Sequence, residues 1–63
     1  VDEDQEARLE GLMQERRKRE AALNRALAEL LGSGRGAPEA LAAIEEMEAV
    51  LRSIAAFVSS AES

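Results

Sequence analysis

Residues 32–38, GSGRGAP, constrain this chain more than any other stretch, because they break one helical pattern and start another. Gly32 suits the left-handed backbone that closes a helix, and Gly34 and Gly36 deny the segment any regular structure. Pro38 cannot continue a helix, but its fixed φ suits the first turn of a new one. Glu39 then supplies a favourable first-turn acid. A connection this short sets its flanking helices side by side and antiparallel. The expected fold is therefore all-α, a two-helix antiparallel hairpin with a helix over residues 4–31, a turn over 32–37 and a helix over 38–60.

The first helix opens on Asp2, Glu3, Asp4 and Glu6, where the amide dipoles leave a partial positive end. Asp2 or Asp4 is the expected cap. Leucines 9, 12, 23, 27, 30 and 31, with Met13, recur at helical spacing and form one stripe. Arg16 and Glu20 interrupt that stripe as a polar waist, and their i,i+4 spacing lets them pair. In the second helix, Ile44, Met47, Val50, Leu51, Ile54, Phe57 and Val58 cover an arc of roughly 140°, wider than one antiparallel neighbour requires. The expected hairpin core is Leu23, Leu27, Leu30, Ile44 and Met47. The expected surface for a partner is Val50, Leu51, Ile54, Phe57 and Val58, with Phe57, the only aromatic, as its anchor.

A chain of 63 residues buries too little surface to be more than marginally stable without a staple or a partner. It has no Cys for disulfides or thiolate metal sites, and no His to ligate a metal or act as a base. Apolar residues make up 46% of the chain, too many for a disordered tail. Association is the remaining route to stability. The net charge of −5 and the absence of a basic half argue against nucleic acid. No apolar run approaches the ~20 residues of a membrane span, and no signal peptide opens the chain. The first residue is Val1, not Met, so a processed, trimmed or partial chain is expected.

Other patterns have simpler explanations than chemistry. The glycine triplet lacks the preceding strand and the Gly-Lys-Ser/Thr ending of a phosphate loop. The run from Arg16 to Arg19 spreads around the helix and reads as a solvated segment ion-paired with Glu15 and Glu20. Glu45, Glu46 and Glu48 are expected opposite the buried stripe, as solubilising charge. The five serines have no His or Cys beside which to act, so catalysis, metal binding and cofactors are not expected.

From Ala21 onward the chain resembles the small E component of bacterial type III secretion systems (the YscE/PscE family). The likeness lies in Leu23-Asn24-Arg25-Ala26-Leu27-Ala28-Glu29-Leu30, in Arg35-Gly36-Ala37-Pro38-Glu39 at the turn, and in Leu41, Ile44, Val50, Leu51, Ile54, Phe57 and Val58. The resemblance implies a cytoplasmic helical hairpin that pairs with a tetratricopeptide-repeat co-chaperone. The pair would keep the secretion needle subunit soluble and unpolymerised. Two other readings stand beside it: a homodimeric hairpin adaptor or regulator forming a four-helix bundle, and a coiled-coil fragment of a larger protein.

Overall fold

The computed structural model describes residues 2–62 and places them in two helices, α1 (Glu3–Ser33) and α2 (Ala37–Glu62), with no strand among the described residues. The helices pack along one another as an antiparallel hairpin with backbone extents of 46 × 16 × 11 Å.

Asp2 caps α1. Its extended backbone lets the carboxylate Oδ1 accept from the Gln5 amide at 2.8 Å, while Gln5 Oε1 accepts from the Asp2 amide at 3.2 Å. Two donors at the helix start are thus satisfied reciprocally. Glu3, Asp4 and Glu6 fill the first turn as the dipole favours.

The turn is shorter than the spacing predicts. Gly32 remains helical, and Gly34 is the residue that turns left-handed, at φ 71°, with its amide bonded to the Leu30 carbonyl at 2.8 Å. Ser33 accounts for the extra residues. Its Oγ donates to the Glu29 carbonyl at 2.8 Å and accepts from the Arg35 amide at 3.2 Å, tying helix end to turn. Gly36, at φ 92°, then delivers the chain to α2, where the Ala40 amide bonds back to its carbonyl at 2.9 Å. An opposite-signed pair of substitutions follows from this geometry. Neither Gly32 nor Gly34 has a neighbour within 4 Å of an added Cβ, so only the backbone decides. Gly34→Ala should destabilise by ~1 kcal/mol or more, the cost of the left-handed conformation. Gly32→Ala should stabilise by up to ~1 kcal/mol through helix propensity. Urea denaturation of both variants checks the pair.

Small residues make up the most buried part of the hairpin. The most buried side chains are Ala40, Ala43 and Val50, all on α2, and no residue of α1 is buried. Near the turn, Ala22 and Ala26 of α1 are half-buried as well. Leu27, expected in the core, is 38% exposed because it lies one position off the α1 seam line of Leu23, Ala26 and Leu30; Leu23, Leu30, Ile44 and Met47 are half-buried. Val50 needs the opposite correction: it is 8% exposed within the hairpin and is covered there instead of facing outward.

A candidate protein-binding face

The helical phase of each seam fixes which residues lie to either side of it. On α2 the seam follows Ala40, Ala43, Met47, Val50, Ile54 and Phe57. At ~100° per residue, Leu41, Leu51 and Val58 fall to one side of that line. On α1 the same construction puts Met13, Leu27 and Leu31 to one side of the seam. Because right-handed helices running in opposite directions turn in opposite senses, the two sides coincide. All six side chains are exposed, with Leu31 at 90% and Leu51 at 47%. They give one broad face of the hairpin an apolar character from the turn to Met13 and Val58, broken by Arg17, Glu20 and Asn24 of α1 and by Glu48 of α2.

The opposite face is polar. Arg19 holds Glu15 on its own helix at 2.9 Å and crosses to Glu46 on α2 at 3.2 Å. Glu46 therefore sits at the edge of the seam, not opposite it. The cross-helix reach is available because Arg19 projects from the half-buried side of α1. This ion pair fixes register more than stability: both groups are substantially exposed, and such pairs contribute ~0–1 kcal/mol. Arg19→Ala should accordingly change the urea midpoint by no more than ~0.5 kcal/mol equivalent. An equilibrium denaturation curve measures it.

Two open grooves flank the polar side. One, of about 530 Å³, lies at the turn between Arg25, Glu29, Arg35 and Glu39. The other, of about 430 Å³, lies between Gln5, Arg8 and Leu12 of α1 and Ser53, Phe57 and Ser60 of α2. The first carries acids and bases in equal number and neither an aromatic nor a buried donor, so it has no single charge sign to select a ligand. Among the described residues no group of carboxylates is arranged to hold a metal ion, and no helix is long and apolar enough to cross a membrane.

The five residues expected to meet a partner are divided by the fold. Val50 is buried in the seam, and Ile54 and Phe57 are half-buried along it, Phe57 sharing a groove with Leu12. Leu51 and Val58 remain exposed, on the apolar face. Sequence reasoning missed Leu41, at 62% exposure, and Leu31, both of which extend that face to the turn. The signal was present in the spacing. Leu41, Ile44, Glu48, Leu51, Ala55 and Val58 alternate three and four apart, the seam pattern of a helix with a second neighbour. The expected pairing of Arg16 with Glu20 is present at 2.7 Å, with Arg16 half-buried and Glu20 exposed. Glu20 and Glu48, the latter bonded to Arg52 at 3.3 Å, interrupt the apolar residues at mid-length.

No protein-family model matches this chain, and neither does any curated protein or solved structure.

Proposed function

We propose that this hairpin is a small protein-binding adaptor that works in the cytosol, and that its particular role is that of a type III secretion co-chaperone. The observation that carries the first part is the apolar face spanning both helices, from Leu31 and Leu41 at the turn to Met13 and Val58 towards the open end. A chain whose own seam buries only two alanines and a valine gains stability from whatever covers such a face, by mass action on the folded state. The second part rests on the resemblance of the segment from Ala21 onward. In that role the face docks on a tetratricopeptide-repeat partner, and the pair sequesters the amphipathic helix of the needle subunit before export.

The deciding experiment is co-expression with the repeat protein and needle subunit of a secretion system encoded beside this chain. A stable ternary complex, lost when Leu51 is changed to Glu, supports the role. If the repeat protein and needle subunit form their complex without this chain, the secretion role is wrong.

A further inference from the structure

We propose that the apolar face receives a single amphipathic helix of another protein, about five turns long, with basic residues at its middle and at one end. The inference rests on the reading of that face as the working surface, and it names the chemistry of what the face takes.

Two antiparallel helices side by side leave a groove along each broad face, and an amphipathic helix laid into such a groove completes a bundle. On this face the groove is bordered by Met13, Leu27 and Leu31 of α1 and by Leu41, Leu51 and Val58 of α2, all exposed. At ~1.5 Å per residue, the stretch from Met13 to Leu31 and that from Leu41 to Val58 both run ~26 Å, the length of a helix of about 18 residues.

Charge selects the occupant. Glu20 of α1 and Glu48 of α2 lie level with each other, in the register set by the Arg19–Glu46 bond and by the groove that Leu12 shares with Phe57. Each carboxylate is held by an arginine that does not share the face. Arg16, half-buried in the seam, bonds Glu20 at 2.7 Å, and Arg52, on the far side of α2, bonds Glu48 at 3.3 Å. A helix seated in the groove therefore meets two carboxylates at mid-length, one on either side.

At the open end the same helical phase brings Glu6 and Glu62 to this face, and the last turn of α2 has no base to offset them. Among the described residues Arg17, at the α1 edge, is the only base that this phase puts on the face. Arg25 and Arg35 lie with Glu29 and Glu39 along the other groove, and the face itself ends at the turn on Leu31 and Leu41. A second copy of the chain would bring an equally acidic face against this one. Lysines or arginines flanking an apolar stripe would instead pair with its carboxylates, and complementarity of this kind chooses among partners more than it adds affinity.

Fluorescence anisotropy on the intact 63-residue chain, with two labelled synthetic peptides, tests the proposal. Both are about 18 residues long, with leucines at three- and four-residue spacing. One carries lysines beside the stripe at its middle and at one end, and the other has glutamates in their place. The lysine peptide should bind at least tenfold more tightly at ~0.15 M salt. Glu20→Lys/Glu48→Lys should reverse that order. Glu29→Lys/Glu45→Lys, an equal change of charge at exposed positions off the face, should leave it unchanged. Leu51→Ala should weaken the lysine peptide about tenfold. Peptides that bind equally, or not at all, overturn the proposal. So does an off-face variant as effective as the face variant, or a dimer in sedimentation equilibrium that the lysine peptide does not dissociate. Binding that ignores Leu51→Ala overturns the reading of the face itself. The secretion role is decided apart from these results, by the ternary complex.

Discussion

Replacing Ala43 by leucine should destabilise this hairpin severely, even though the substitution adds apolar bulk and costs little in helix propensity. Ala43 is 9% exposed and lies one turn from Ala40 on the buried side of α2. Leucine there has to displace α1 or leave its rotamer wells, and overpacking of this kind typically costs ~1–3 kcal/mol. A chain this small holds a few kcal/mol at most, so the loss consumes much of its stability. Ala49→Leu is the control. It is exposed on the same helix, keeps the same propensity and should leave the thermal transition within ~0.5 kcal/mol of the parent. Circular dichroism melts of the two variants at matched concentration settle the matter. Equal melting temperatures would mean that the seam has room for a larger side chain at position 43.

The same alanines mark where the sequence stopped being legible. The two helices, the antiparallel turn and the acidic N-terminal cap were readable because each rests on local chemistry. Pro38 and the glycines stop and start a helix whatever surrounds them, and Asp2 needs only Gln5. The phase of α2 within the hairpin was not readable. Its apolar arc is wide enough to be turned either way against α1. Reasoning by size put leucines at the centre of the seam and Val50 and Phe57 outside it. Packing chose by fit instead, with alanine at the centre and Leu27 and Leu31 at the flank. Hydrophobicity does not separate those choices, because both bury apolar surface. Arg19 illustrates the same point. Its bond to Glu46 depends on which side of α2 faces α1, and no spacing within either helix encodes that.

Phe57 and Leu51 now separate the hairpin's own seam from its outer face. Phe57 is half-buried beside Leu12 and Gln5 near the open end of the molecule, so its ring supports the hairpin itself. Phe57→Ala should lower stability by ~2 kcal/mol, below the ~3–5 of a fully buried ring because part of the surface is already wet. That loss should be present without any peptide and persist as the lysine peptide is added. Leu51→Ala removes an exposed side chain from the apolar face and should cost the isolated hairpin little. It should instead weaken binding of that peptide, by about tenfold or ~1.4 kcal/mol of association free energy. Melting curves over a hundredfold range of peptide concentration distinguish the two. Without peptide Leu51→Ala should match the parent and fall behind only as peptide is added, whereas Phe57→Ala should be low throughout. If the two behaved alike, with both matching the parent until peptide is added, Phe57 would belong to the outer face, and α2 would be rotated about its axis relative to the seam described above.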